Sequence, residues 1–580
     1  MRIEKFLDEL STRALSELTG EASPALLKPT ADPRHGDFQV NAAMALAKKL
    51  GKKPREIAEP LAERLAQSDA IERAEVAGPG FVNLTLSSAF VARVLDEAAA
   101  DSTHDGVDRA DTTDRIVVDF SSPNIAKQMH VGHLRSTIIG DALRNLLREV
   151  GHEVIGVNHI GDWGTQYGLL LSGMREFGDA TALEDSAIEE LERIYKQASA
   201  RAKEDEAFAE RARAELAKLQ SGDAENLALW EKFVSTTRAE LDRVYDRMGI
   251  RFESWRGESA YNDALPGVVA TLQEKGLARP DDGAVGVFWP ELDGVPARLK
   301  AQKEPFLVQK RDGAFLYATT DIAAALYRSA EVGAQRVYYV VDARQAGHFE
   351  QLIAIARLLG VQMAMEHVSF GTVLDEAGKP LKTRDGKAVT LASLLDEAES
   401  RALARIREGV SEGRLDIPED AQAGVARAVG IGAVKYADLR QNRSSDYQFD
   451  WDKMLSFQGN AGPYLQYAYA RIASIFDKGG LSLEDQRGPV SLVAVEEVRL
   501  GKVLARFSDV VHQAGQAALP HLLTDHLYEL ARAFSAFYEA CPVLKAEGAE
   551  RASRLALAAL TARQLSRGLG LLGIAVVRRM

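Results

Sequence analysis

The stretch Ser121–Asp141, "SSPNIAKQMHVGHLRSTIIGD", decides the fold of this chain. Just before it, "RIVVDF" (115–120) is an unbroken apolar run, the pattern of a strand buried on both faces. From His133 onward, "HLRSTIIGDALRNLLREVG" repeats its apolar residues at helical period, and Gly151 stands where a helix C-terminus accepts a left-handed residue. "HEVIGVNHIG" (152–161) then predicts a second strand. A strand feeding a helix feeding a strand is a βαβ unit, and it implies a parallel sheet with helices on its faces. Ligands of such sheets bind beyond the carboxyl ends of the strands, which is where His130 and His133 stand. At the mouth of a helix, two imidazoles join unpaired N–H groups and the positive dipole end, a setting that suits an anion. Gly132 between them lets a flat ligand approach the backbone. Taken alone, H-x-x-H is more often the pattern of a helix cap beside a packed surface residue. It lacks the glutamate and the i, i+4 spacing of a zinc-protease helix.

The rhythm returns later. "RVYYVVD" (336–342), "HFEQLIAIARLLG" (348–360) and "EHVSFGTVL" (366–374) predict strand, helix and strand. A long insertion, about 167–310, separates the two halves, and its charge-laced stretch 183–220 predicts a solvated helical hairpin. Residues 1–108 predict a small α+β domain: amphipathic helices, then "IERAEVAGPGFVNLTLS" alternating like two strands around Gly78-Pro79-Gly80. "DSTHDGVDRADTTD" (101–114) is polar and unpatterned, the composition of a linker. Residues 457–580 carry only helical periods and predict a bundle. The expected fold is therefore multidomain α/β. A Rossmann-like parallel-sheet catalytic domain (109–456) carries the helical insertion, a small α+β domain precedes it and an all-α bundle follows.

The chain has 580 residues, enough for several cores. It holds no apolar run long enough for a membrane span, and "MRIEKFLDEL" is acidic and amphipathic, unlike a targeting segment. Cys541 is the single cysteine, which removes disulfides and cysteine-based zinc sites and makes a cytoplasmic setting the default. The net charge of −13 argues against non-specific coating by nucleic acid, although a local basic face needs only a patch. A second anion-seeking element is "LDEAGKPLKTRDGKAVTL" (374–391), a glycine-containing loop with Lys379, Lys382, Arg384 and Lys387, read equally as a solvated basic turn. Beside the histidine pair, it suits a polyphosphate held between the two halves of the sheet.

His130-Val131-Gly132-His133 resembles the HIGH signature of class I aminoacyl-tRNA synthetases. Five long strings in one order narrow the resemblance to the arginyl-tRNA synthetase family. They are Ser121–Leu143, "NHIGDWGTQYGLL" (158–170), "YATTDIAAALYR" (317–328), "LRQNRSSDYQFDWDKML" (439–455) and "GNAGPYLQYAYARI" (459–472). The resemblance implies activation of L-arginine with ATP, carried with Mg2+, and transfer of the arginyl group to the 2′-hydroxyl at the end of its tRNA. It also implies a monomer and no resident structural metal. His130 and His133 would serve the phosphates and Gly132 the adenine. The usual lysine-rich signature is altered to Leu381-Lys382-Thr383-Arg384-Asp385, so Lys127 is expected to supply the missing cation, with Lys382 and Arg384 as further phosphate contacts. For arginine the resemblance implies Asp119 and Asp321 as acids, Tyr317 against the guanidinium, and Asn124, His159 and Gln345 at the backbone groups. For tRNA it implies the first domain at the D-loop corner, with Phe38 as a stacking aromatic. The bundle would meet the anticodon loop through Tyr464 and Tyr467. The chain ends "VVRRM", unlike the family's usual ending, which puts a role for the last residues in doubt. Competing readings are another class I synthetase, for cysteine or glutamate, a small-molecule nucleotidyltransferase, and a catalytically silent tRNA-binding paralogue.

Overall fold

The structure is a computed structural model that describes residues 1–20, 22–30, 32–381 and 389–580. Its centre is a five-stranded sheet in which every neighbouring pair is parallel. The strands are β1 (Arg115–Asp119), β2 (Glu153–Asn158), β3 (Ser254–Trp255), β4 (Arg336–Tyr339) and β5 (Ala364–His367). Their spatial order is β5-β4-β1-β2-β3. The chain therefore starts at the middle, winds outward to β3, then returns to β4 and winds the other way. The reversal lies between β1 and β4, and the crevice above it is where a doubly wound sheet takes its ligand. Register places Asp119 beside both Tyr339 and Val157, so the carboxyl ends of these strands finish level.

The helix α1 (Val131–Glu149) follows β1, α2 (Tyr317–Ala330) precedes β4, and α3 (Ala346–Leu358) joins β4 to β5. Arg135, Ser136, Thr137, Asp141 and Arg144 on α1 are all buried. Each finds a partner in the interior, Arg135 on Asp438 at 3.1 Å and Arg144 on Asp141 at 2.8 Å. Helices 391–411 and 419–439 and the terminal bundle pack around α1, so its N-terminus cannot move independently of them.

Three expectations change. First, the span read as one insertion, 167–310, is interrupted: its first run of helices ends at Met248, and β3 rejoins the sheet before a helix, Leu265–Glu274, and a small antiparallel sheet of 279–281, 284–287 and 306–309. A two-residue strand leaves no period in the sequence to betray it. Second, 101–114 is no free linker. Asp105 is buried and accepts from Arg563 at 3.0 Å and Arg567 at 2.8 Å, cations that lie far along the chain on the last helix. Third, 491–515, "SLVAVEEVRLGKVLARFSDVVHQAG", which reads in the sequence as one helical stretch, contains two helices, Val495–Ala505 and Phe507–Gln516, with the break at Arg506. The first domain is a four-stranded antiparallel sheet with helices, and the last is all helical. The chain end folds back: Gln466 donates to the Ala575 carbonyl at 2.7 Å, and Met580 packs on helices 391–411 and 419–439.

Candidate functional site

A cavity of about 380 Å³ opens above the reversal point. His130, Gly132 and His133 line one side; Asp119, Asn124, His159, Tyr317, Asp321 and Gln345 line the rest. The structure thus brings together residues that lie more than 200 positions apart in the chain.

His130 is the N-cap of α1. Its Nδ1 accepts from the Gly132 N–H at 3.0 Å, and its own N–H donates to His133 Nδ1 at 3.2 Å. Both Nδ1 atoms are acceptors, so in the neutral rings both protons sit on Nε2. Burial, then Arg344 and Lys127, push the His130 pKa down. Burial first, then His130, push His133 down to about 4. At neutral pH the pair therefore offers two N–H donors and no net charge. The ring centroids are 4.2 Å apart, close enough to address one phosphate group. A Cβ on Gly132 would stand 2.6 Å from His130 Cε1. The glycine is required first by the imidazole that lies against it.

The turn from β1 to α1 is strained and tightly held. Ser121, Ser122 and Ala126 have φ of 72°, 46° and 63°, a region that costs a residue with a side chain about 1–3 kcal/mol. Ser121 N–H donates to Ser136 Oγ at 2.8 Å, and Ser121 Oγ shares a 2.7 Å bond with the Tyr245 hydroxyl. Ser122 N–H donates to Asn158 Oδ1 at 3.1 Å, and Ser122 Oγ donates to Asp119 Oδ1 at 3.0 Å. These bonds fix the path of the chain to Asn124 and Lys127. Asn124 meets Gly161, where a Cβ would stand 2.0 Å from Asn124 Oδ1. Lys127 is exposed, with Nζ 5.9 Å from the Tyr195 ring centroid, and it lies on the rim instead of in the cavity wall.

The opposite side is acidic. Tyr317 opens α2 and Asp321 follows one turn later, so both face the cavity. Asp321 Oδ2 accepts from His348 Nε2 at 2.7 Å. His159 Nδ1 donates to the Arg256 carbonyl at 3.0 Å, which leaves Nε2 toward Asp321 Oδ1 at 4.0 Å. Sequence reasoning missed Glu258, which lines the same cavity. Burial, then Asp321 and Asp162, push its carboxyl up to about 8. It enters through the return of the chain to β3, and no local pattern marks that return. Asp119 differs from expectation: its Oδ2 is occupied by Arg328 at 2.6 Å, within the buried interior.

Of the loop 374–391, Lys382 and Arg384 lie outside the described residues. Its flanks are stitched to the site: Leu381 N–H donates to Val373, Val131 N–H to Val389 and Leu391 N–H to Met129, at 2.8–3.1 Å. Arg344 also lines the cavity, held by Asp342 at 2.8 and 2.9 Å. Of the residues expected at tRNA, Phe38 is 1% exposed inside a strand of the first domain and packs in its core, so it has no face for a base. Tyr464 is half-buried edge-on to Tyr528, 5.7 Å away, while Tyr467 is exposed.

Three family models match along the chain. Residues 97–451 match "tRNA synthetases class I (R), catalytic domain", 465–580 match "DALR anticodon binding domain", and 3–86 match "Arginyl tRNA synthetase N terminal domain". The chain is 47% identical over 581 residues to the arginine–tRNA ligase of Laribacter hongkongensis, covering 99% of each. It is 46% identical over 588 residues to that of Alteromonas mediterranea, covering 100% of each. Among solved structures it is similar to the arginyl-tRNA synthetase of Plasmodium falciparum, with TM-score 0.86 and 28% identity over 100% of this chain and 99% of that one. It is likewise similar to that of Thermus thermophilus, with TM-score 0.83 and 26% identity over 100% of both.

Proposed function

The chain belongs to the arginyl-tRNA synthetase family, and from that premise we propose how its cavity joins arginine to tRNA. The activity is that of a class I arginine–tRNA ligase driven by ATP. Arginine lies with its guanidinium between Asp321 and Glu258 and against Tyr317. Its backbone groups meet Asn124, His159 and Gln345, all of which line the cavity. A guanidinium keeps its charge at any working pH and offers a planar fork of donors, which two carboxylates on different elements can share. Lysine cannot span both, and neutral citrulline leaves both acids unpaired.

ATP, carried with magnesium as its substrate complex, lies along the N-terminus of α1. The arginine carboxylate attacks the α-phosphorus. A new P–O bond forms, the bond to the bridging oxygen breaks, and pyrophosphate leaves. The Nε2–H groups of His130 and His133 donate to the phosphate oxygens, and Lys127 contributes the permanent positive charge. The ribose 2′-hydroxyl of the tRNA end then attacks the arginyl carbonyl, and AMP leaves. No covalent enzyme intermediate is needed, so catalysis is placement plus stabilisation of developing charge. Tyr467, exposed on the anticodon-binding helices, is the stacking aromatic; we place the protein in the cytoplasm as a monomer. No helix among the described residues is long and apolar enough to cross a membrane.

The observation that carries this reading is one cavity with two neutral N–H imidazoles on one wall and, on the other, two acids that pair with no lysine or arginine among the described residues. Amino-acid-dependent pyrophosphate exchange, with and without tRNA, tests it. Exchange confined to arginine is expected. Exchange with another amino acid would overturn the specificity, and silence under every condition would favour a tRNA-binding paralogue.

A further inference from the structure

Behind the cavity wall, an arginine of the protein's own is buried against one of the acids that line it. Arg328 is 2% exposed, and its Nη2 donates to Asp119 Oδ2 at 2.6 Å. It sits on α2, seven residues after Asp321, so the helix that presents Tyr317 and Asp321 is tied through Arg328 to the carboxyl end of β1. The Arg328 guanidinium carbon lies 5.4 Å from the centroid of the Tyr339 ring on β4. Arg328 therefore touches both strands at the reversal point, β1 through Asp119 and β4 through Tyr339.

Asp119 spends its other oxygen on the Ser122 hydroxyl at 3.0 Å. Both carboxylate oxygens thus have partners inside the protein, although the residue lines the cavity. Asp321 and Glu258 differ. No lysine or arginine of the chain forms an ion pair with either among the described residues; the charge partners of Asp321 are His348 at 2.7 Å and His159 at 4.0 Å. A carboxylate already paired with a buried guanidinium gains little from a second one.

We propose that Arg328 is a positioning residue that withdraws Asp119 from substrate recognition and uses it to hold the strained Ser121–Ser122 turn. Arginine selection then rests on Asp321 and Glu258, and the Arg328–Asp119 pair acts on the placement of Asn124 and Lys127. Ser122, at φ 46°, keeps its conformation because Asp119 and Asn158 hold it from two sides. Asp119 can do so only while its charge is met inside the protein, since an unpaired buried carboxylate would be drawn toward any cation entering the cavity.

This rests on the assignment of the cavity to arginine, and the test separates the two. Wild-type exchange with the range of amino acids tests the assignment; variants of the full chain, assayed with arginine, ATP and tRNA, test the role of Arg328. Asp119→Asn should lower kcat of exchange about tenfold or more, through misplacement. It should leave KM for arginine within about threefold. Asp321→Asn should instead raise that KM by roughly 100-fold, since it removes a charge partner that lines the cavity. Arg328→Ala should copy the Asp119→Asn signature. Millimolar guanidinium chloride should restore its kcat, with no such rescue in Asp119→Asn, where no carboxylate remains to hold the ion. If Arg328→Ala does not fold, Arg328→Lys and the double variant Asp119→Asn/Arg328→Gln serve, the double costing no more than the worse single change. An Asp119→Asn enzyme whose KM for arginine rises as in Asp321→Asn, with kcat kept, would overturn the proposal. So would additive costs in the double variant.

Discussion

Lys127 lies on the rim beside the wall that His130 and His133 line, and the lysine is the permanent charge among them. Burial, then Arg344 and Lys127, hold the His130 pKa down, and burial, then His130, hold down that of His133, so the rings can donate hydrogen bonds but cannot supply a cation. Lys127→Ala should therefore lower the rate of adenylate formation by about 100-fold, with a much smaller rise in KM for arginine. Pyrophosphate exchange at varied arginine measures both, and an unchanged rate would remove Lys127 from the mechanism. Glu258 makes a different prediction. Its carboxyl is pushed up to about 8 by burial and two neighbouring acids, Asp321 and Asp162. A guanidinium favours the ionised form, so arginine binding below that pH must release a proton. KM for arginine should fall as pH rises from 6 toward 8 and level off above it. Glu258→Gln should flatten that dependence, and a wild-type KM that is level across the range would refute the linkage.

At the scale of the element, the N-terminus of α1 is built around one missing Cβ. His130 caps the helix and leans over Gly132, and His133 closes the box from the next position. Gly132→Ala places a methyl 2.6 Å from the His130 ring, inside any normal contact. The ring must swing away and the cap bond to the Gly132 N–H breaks. Alanine is otherwise welcome in a helix, so the melting temperature should change little while exchange activity falls by about tenfold or more. Equal activity in this variant would show that the ring position is not needed. The element was legible from the sequence because every part of it is local: an apolar strand, a short turn, a cap and a helical period. Glu258 was not legible, because β3 is two residues long and follows a helical region whose own periodicity is strong.

The whole molecule shows its cost in the bundle. His526 is buried on helix 521–540, with neither ring nitrogen bonded among the described residues, and burial drives its pKa down to about 3. An unfolded histidine titrates near 6.5. Between these values the unfolded chain binds a proton that the folded chain refuses. Stability from this group is complete above pH 6.5 and is lost at up to about 1.4 kcal/mol per pH unit as pH falls toward 3. His526→Leu should raise the denaturation midpoint at pH 5 more than at pH 8, as chemical denaturation at both values would show. Equal shifts would mean that the ring is solvated in the folded state. The same scale explains why 101–114 reads as a linker and is not one. Its buried acid, Asp105, is neutralised by Arg563 and Arg567 from the last helix, and no window of sequence around Asp105 contains them.

By itself the sequence determined the βαβ core, the placement of His130 and His133 at a helix mouth, the small first domain and the helical end. Each of these follows from periodicity, caps and turns that act over a few residues. It also determined the family, through long ordered strings that no single short motif could replace. Tertiary structure decided the rest. It placed Asp321 and Glu258 in one cavity, buried Phe38 in a core instead of offering it to a base, and gave Asp119 an internal arginine for a partner. The reason is physical. A side chain's charge, exposure and free hydrogen-bonding capacity are set by whatever packs against it, and in a doubly wound sheet those neighbours come from strands far apart in the chain.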